Sequence, residues 1–384
     1  MMLLEHDAKE LLARCGLAAP EGVWIEHAAE LDRLALPPAP WMVKAQVPVG
    51  GRGKAGAIWP VATVAEAKAE VERLLGSRVL GHPVRACRLE TRTAFVHEAY
   101  LSLIIDPLAA GVRVVVSAAG GIDVEQSADA MKNALAPPDE AGVREAAQSL
   151  ARELPESHRG AVAAALAAAA TAFFRYEALL VEINPLFIRA DGSWLIGDAK
   201  LAVDVNALAR QPEIRSLIEA KARAYPEAAL KVRDGFDYVE LDPEGTIGLL
   251  TTGAGLSMKL IDELIGKGER PINFVDVRTG ELRGDPARLV RILDKLSRAP
   301  RLRVLLVNIF AGITDLGEFA ALLVRALEAV PLFDVPIVAR LVGRGAGEVQ
   351  AQLRGARLPI VIEPDLDRAV AKTAEIAAGR GALA

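Results

Sequence analysis

Two stretches of this 384-residue chain carry residue types suited to a charged ligand. The first is Gly50-Gly51-Arg52-Gly53-Lys54-Ala55-Gly56. Its glycines let backbone N–H groups come close to an anion, while Arg52 and Lys54 add charge. It is not a Walker A loop, because Pro48 stands where that pattern needs glycine and Ala55 where it needs Ser or Thr. Taken alone it has two readings, a phosphate cradle and a solvated turn. Lys44 ends the apolar run Trp41-Met42-Val43, a place that suits a lysine only if it faces a cavity, a ligand or solvent at the strand end. The second stretch is Leu179-Leu180-Val181-Glu182-Ile183-Asn184-Pro185, with Glu182 and Asn184 on one face of a strand. Asp191-Gly192 signals a hairpin, and the return strand Ser193 to Lys200 carries Asp198. A two-residue loop there would pair position 184 with 199 and leave Asp198 within one place of Asn184. Three oxygen-bearing side chains on one stretch of sheet suit Mg²⁺ shared with nucleotide phosphates. An ordinary solvent-facing polar surface is the other reading, and the apolar neighbours and Pro185 fit it poorly.

Further along, Thr251-Thr252-Gly253-Ala254-Gly255-Leu256-Ser257-Met258 holds the first two glycines of a dinucleotide fingerprint but Met258 in place of the third. It and the turn Asn308-Ile309-Phe310-Ala311-Gly312-Ile313 are each readable as strand-to-helix anion sites or as tight turns. His6, His27, His82, His97 and His158 form no ligand cluster by spacing, and no GxSxG or HExxH pattern occurs.

The elements that must position these residues read as α/β. From about residue 236 apolar β-type runs alternate with single helices: Thr246 to Thr251, Ile272 to Val277, Val304 to Phe310, Pro336 to Val342 and Pro359 to Glu363. That is the pattern of a doubly wound parallel sheet. The part before it is less regular. It has a helix over Glu5 to Cys15, a strand ending at Ala45, a helix over Val64 to Leu75 and strands near Ala94 to Glu98 and Gly111 to Ser117. A helical region over Pro138 to Phe174 follows. Two domains are expected, 1–235 and 236–384.

Composition narrows the function. Lys and Arg number 45 against 50 Asp and Glu, a net charge of −5 that gives no footprint for nucleic acid. The longest apolar run, Gly160 to Phe174, is too short to cross a membrane and reads as a buried helix. Met1 to Gly16 lacks the layout of a signal peptide, and Cys15 and Cys87 suggest neither a disulfide framework nor a zinc site. A cytoplasmic location is expected.

Together the motifs run in a recognisable order. Leu4-Glu5-His6-Asp7-Ala8-Lys9-Glu10-Leu11, Val43-Lys44-Ala45-Gln46, the Gly50 to Gly56 segment, Glu182-Ile183-Asn184-Pro185-Leu186, Asp198-Ala199-Lys200-Leu201, Asn206-Ala207-Leu208, Gly253-Ala254-Gly255-Leu256 and Val307-Asn308-Ile309-Phe310 resemble the β subunit of succinyl-CoA synthetase and its relatives. Those relatives include the malate–CoA ligase β subunit. The resemblance spans essentially the whole chain and implies an ATP-grasp domain followed by a flavodoxin-like CoA-ligase domain. It implies nucleotide contacts at Lys44, Gly51, Arg52, Gly53, Glu90, Thr93 and Glu98, Mg²⁺ ligands at Asn184 and Asp198, and a catalytic role for Glu182 beside a phosphohistidine. That histidine and most of the CoA site belong to an α subunit in an αβ or α2β2 assembly. The implied reaction consumes ATP, a small carboxylic acid and CoA by way of a phosphohistidine and an acyl phosphate.

Departures gather in the C-terminal part. Thr252 replaces a family asparagine that contacts the acid, Arg278-Thr279-Gly280 replaces three glycines, and Ala311-Gly312-Ile313-Thr314-Asp315 loses an arginine and gains a carboxylate. The acid is therefore expected at Thr252, Ala311, Gly312 and Ile313, with succinate specificity left open and a hydroxylated (malate-like), branched or sulfonated acid as the alternatives. Two other functions fit parts of the pattern: an ATP-grasp ligase joining a carboxylate to an amine, and a non-catalytic nucleotide-binding subunit.

Overall fold

The computed structural model describes residues 1–121, 131–312, 314–330, 335–355 and 358–379. The chain divides into two compact units, Met1–Arg215 and Ser216–Ala384.

The first unit opens with α1 (Glu5–Ala13), β1 (Gly22–Ile25), β2 (Trp41–Ala45), β3 (Ile58–Val61) and α2 (Val64–Leu75), then a short hairpin of β4 (Arg78–Val79) and β5 (His82–Pro83), and β6 (Cys87–Thr91). Four of these strands form an antiparallel sheet in the order β1-β6-β2-β3. Thr63 caps α2 by accepting a hydrogen bond from Glu66 N, and Ala67, Val71 and Leu74 pack on Val43 and Leu89.

A second sheet follows, built from β7 (His97–Asp106), β8 (Gly111–Ser117), β9 (Lys132–Ala136), β10 (Ala178–Ile188), β11 (Trp194–Ile196) and β12 (Ala199–Val203). Its order is β11-β10-β7-β8-β9, with β12 also on β10. The strand expected near Ala94 starts at His97 instead. Helices α3 (Glu140–Arg152) and α4 (Glu156–Arg175) lie together, with α4 against β7 and β10. The alanine-rich run is α4, buried as expected at Ala161, Ala165, Ala169 and Ala172, whose small side chains let the helix approach the sheet closely.

The β10 hairpin corrects the expected register by one place. Arg189 N donates to Ser193 O at 2.8 Å, and Gly192 takes φ +79°, so the loop has three residues rather than two. Ile183 therefore faces Ala199, and Asn184 N donates to Asp198 O at 3.1 Å. Asn184 and Asp198 are direct neighbours across the ladder.

The second unit holds most of α5 (Pro212–Ala220), then α6 (Pro226–Asp234), β13 (Asp237–Glu240), β14 (Ile247–Thr251), α7 (Ala254–Gly266), β15 (Asn273–Asp276), α8 (Ala287–Ser297) and β16 (Val304–Ala311). It continues through α9 (Leu316–Ala329), β17 (Ile337–Gly343), α10 (Ala346–Gly355), β18 (Ile360–Ile362) and α11 (Leu366–Ala377). The sheet order is β13-β15-β14-β16-β17-β18, parallel except for the edge strand β13, which sequence patterning did not reveal. Successive residues of β16 enter two cores. Leu305 and Val307 meet α8 and α9, and Val304 and Leu306 meet α7 and α11, which is why these strands are apolar throughout.

Among the described residues no helix is long and apolar enough to cross a membrane.

Candidate active site

A cleft of about 520 Å³ opens in the first unit. Every residue assigned from the sequence to nucleotide, metal or catalysis in this unit lines it, Lys44, Arg52, Glu98, Glu182, Asn184 and Asp198 among them. Its size suits a nucleotide-sized ligand.

Below the cleft lies a buried ionic lattice anchored on α1. Glu5 Oε1 is 2.7 Å from Lys9 Nζ and 2.9 Å from Lys44 Nζ, and Glu5 Oε2 is 2.7 Å from Arg52 Nη2. Glu90 on β6 receives Lys9 at 2.8 Å, Lys44 at 2.6 Å and Arg88 Nε at 2.7 Å. Both lysines also donate to Gly197 O, at 2.8 and 2.7 Å. Burial lowers the Lys44 pKa, but the carboxylates of Glu5 and Glu90 outweigh it and hold the ammonium above the ordinary lysine value. For Lys9 burial wins, and its pKa falls despite the same carboxylates. Burial would raise Glu5, yet Arg52, Lys44 and Lys9 hold it well below the carboxylate range. Lys44 is thus a buried, charged lysine at the cleft floor, not one reaching for solvent.

The glycine segment is a turn closed by Ala55 N to Gly51 O at 3.1 Å and Ala57 N to Arg52 O at 2.9 Å, and Gly51 needs its φ of +73°. Arg52 points inward, only 4% exposed. It donates to Ala45 O at 2.9 Å and to both Asp198 oxygens at 2.7 and 2.8 Å. Those carboxylates overcome the cost of burying the guanidinium and raise its pKa.

On the second sheet, Asn184 Oδ1 accepts from Gly121 N at 2.7 Å. Glu182 faces Lys200 across the ladder, ion-paired with its ammonium, and Tyr100 Oη donates to Glu182 Oε2 at 3.3 Å. Burial raises the pKa of Glu98 above the ordinary carboxylate value. Thr93 Oγ1 is buried on the cleft wall with no hydrogen-bond partner among the described residues, a donor left for a ligand. Phe95 stacks on Phe187 with ring centroids 4.5 Å apart at the same wall. One carboxylate and one amide oxygen side by side fit Mg²⁺, a hard cation that keeps water and phosphate oxygens for its other positions. His6, Asp7 and Glu10 also cluster, but Arg88 Nη1 lies 2.8 Å from His6 Nδ1, and that guanidinium disfavours a cation.

In the second unit, Thr252 and Ala311 sit at the carboxyl ends of the neighbouring strands β14 and β16, and Gly312 follows Ala311. Ile313 lies outside the described residues. Phe310 N donates to Thr252 Oγ1 at 3.3 Å, and Thr279 and Thr314 share a hydrogen bond at 2.9 Å, so the departing turns are joined. Arg278 pairs with Asp237 on β13. Asp315, the carboxylate that marked a departure, caps α9 by accepting from Gly317 N at 2.9 Å and Glu318 N at 3.3 Å.

Sequence reading missed Glu5 and Lys9 as parts of the site. Their i,i+4 spacing on α1 was a signal, but such pairs usually lie in solvent, and only the tertiary fold buries this one.

Residues 2–188 match the ATP-grasp domain family, and residues 250–374 match the CoA-ligase family. The chain is 36% identical, over all of both chains, to the succinate–CoA ligase (ADP-forming) subunit beta of Chloroflexus aurantiacus. It is 32% identical to the probable malate–CoA ligase subunit beta of Mesorhizobium japonicum, over 100% of this chain and 98% of that one. Among solved structures, ATP citrate lyase from Methanothrix soehngenii, in complex with citrate and coenzyme A, shares the fold. Its TM-score is 0.74 at 19% identity, covering 97% of this chain and 99% of the other.

Proposed function

The chain belongs to the family of succinate–CoA ligase β subunits, and from that premise we propose that it is the ATP-handling β subunit of an ADP-forming acid–CoA ligase. ATP, a carboxylic acid and CoA are its substrates; acyl-CoA, ADP and phosphate are its products. The observation that carries this reading is the convergence of buried Lys44 and Arg52 with the Asn184–Asp198 pair and the Thr93 hydroxyl, unpartnered among the described residues, in one cleft.

Lys44 and the Gly51-Arg52-Gly53 backbone bind the phosphates, and Thr93 and Glu98 hold the nucleoside end. Glu90 acts through Lys44, which it keeps charged. Asn184 and Asp198 would hold Mg²⁺, which when bound neutralises charge on the phosphate oxygens. Glu182, oriented by Tyr100 and Lys200, accepts a hydrogen bond from an incoming imidazole N–H and stabilises the positive charge that develops as the other ring nitrogen is phosphorylated. That imidazole comes from an α subunit: the five histidines of this chain end at His158, so the second unit has none. The phosphoryl group then passes to the acid, and CoA thiolate displaces phosphate from the acyl phosphate. The acid is held near Thr252, Ala311 and Gly312, and the changed residues there open the choice to acids other than succinate, malate among them.

The test is co-purification with the α-like partner and labelling with γ-³²P-ATP. An acid-labile phosphohistidine should appear on the partner, and Asp198→Ala should cut its formation by about a hundredfold or more. Labelling of neither chain, or amide synthesis by this chain alone, refutes the assignment. A screen of acids should show succinate outperformed by another acid, and Thr252→Asn should shift the kcat/KM ratio toward succinate by about tenfold.

A further inference from the structure

Arg52 and Asp198 grip each other across the cleft, although Asp198 is assigned above to an incoming metal and Arg52 lies in the segment assigned to the phosphates. Arg52 Nη2 lies 2.7 and 2.8 Å from the two Asp198 oxygens and 2.7 Å from Glu5 Oε2. The Asp198 side chain is 25% exposed and that of Arg52 only 4%, so the carboxylate is reachable from the cleft while the guanidinium is buried. A guanidinium on both oxygens occupies the lone pairs a cation would use, and its charge repels a cation there. Glu5 lies outside that competition. Its second oxygen keeps Arg52 anchored if Asp198 lets go, and its first holds Lys44 beside it.

We propose that Arg52 is a counter-ion switch that couples metal entry to phosphate entry: it closes Asp198 while the cleft is empty and yields it when nucleotide phosphates take over its donors, with Glu5 as the fixed pivot. The proposal rests on the nucleotide reading of this cleft. A bare divalent cation then meets a blocked carboxylate, and metal-free nucleotide competes with Asp198 for Arg52. The metal–nucleotide complex satisfies both residues at once.

The experiment is calorimetric titration of the full chain with its partner subunit, using ATP in EDTA, ATP with Mg²⁺, and Mn²⁺ alone. Asp198→Asn should have opposite effects in the two ATP titrations, tightening metal-free ATP about tenfold by freeing Arg52 while weakening Mg²⁺–ATP by about tenfold or more. In an Arg52→Gln background the gain in EDTA should vanish, whereas plain repulsion between Asp198 and phosphate would preserve it and overturn the switch. Arg52→Gln should bind Mn²⁺ alone about fivefold or more tighter than the wild type, because the carboxylate is uncovered. Equal Mn²⁺ affinity in the two proteins overturns the switch. Arg52→Lys, which keeps the buried charge on a shorter side chain, stands in if Arg52→Gln melts early, with the same signs expected. Unchanged Mg²⁺–ATP binding by Asp198→Asn would instead overturn the metal assignment itself.

Discussion

At Glu5 a single carboxylate touches Lys9, Lys44 and Arg52, all nearly inaccessible to water. Desolvating four ionised groups is costly, so removing one while leaving its partners buried destabilises more than the set contributes as a whole. Glu5→Gln should cost about 3–5 kcal/mol at pH 7, measured by denaturant unfolding. The folded-state pKa of Glu5 is depressed, so its contribution is present above the unfolded value and lost as pH falls through the folded one. The gap between the wild type and Glu5→Gln should therefore shrink as pH drops below about 4.3, and a constant gap would exclude this origin. Glu98 has the opposite shift, because burial raises its pKa. If its carboxylate receives a nucleoside hydroxyl, the KM for ATP should fall as pH rises through that raised value, and Glu98→Gln should flatten the profile.

At the scale of elements, the hairpin between β10 and β11 decides whether Asn184 and Asp198 can share a ligand. A two-residue loop would have offset them by one, and side chains one place apart along a strand point to opposite faces. Gly192 in the left-handed region gives the three-residue loop that aligns them. Gly197, just before Asp198, is equally constrained. A Cβ there would lie 2.5 Å from Cε2 of Phe187 and 2.9 Å from Pro185 O, while the Gly197 carbonyl holds Lys9 and Lys44. Gly197→Ala should lower stability by about 1–3 kcal/mol and raise the KM for ATP, as read by thermal melts and steady-state kinetics. Helix α9 offers a local control. Asp315→Ala should cost about 1 kcal/mol by removing the cap, with no change in ATP affinity.

At the scale of the molecule, the two units carry different chemistry, and each was legible to a different degree. The second unit was readable because its strands are buried on both faces, so apolar runs and intervening helices mark a parallel sheet without any knowledge of contacts. Its edge strand β13 was not, since Asp237-Tyr238-Val239-Glu240 has too few apolar residues to stand out. In the first unit the glycine segment, Lys44, Glu182, Asn184 and Asp198 were visible as residue types at telling spacings, and the order of motifs identified the family. What sequence alone determined was therefore the list of chemical groups, the alternation of elements and the kinship. What only the tertiary structure decided was which groups meet: that Glu5 and Glu90 hold Lys44, that Arg52 lies on Asp198, and that Thr93 has no partner among the described residues. The physical reason is that patterning reports which face of an element is buried, whereas ion pairs between residues 5, 44, 52, 90 and 198 depend on packing distant segments together. Their energies exist only once water has been excluded from between them.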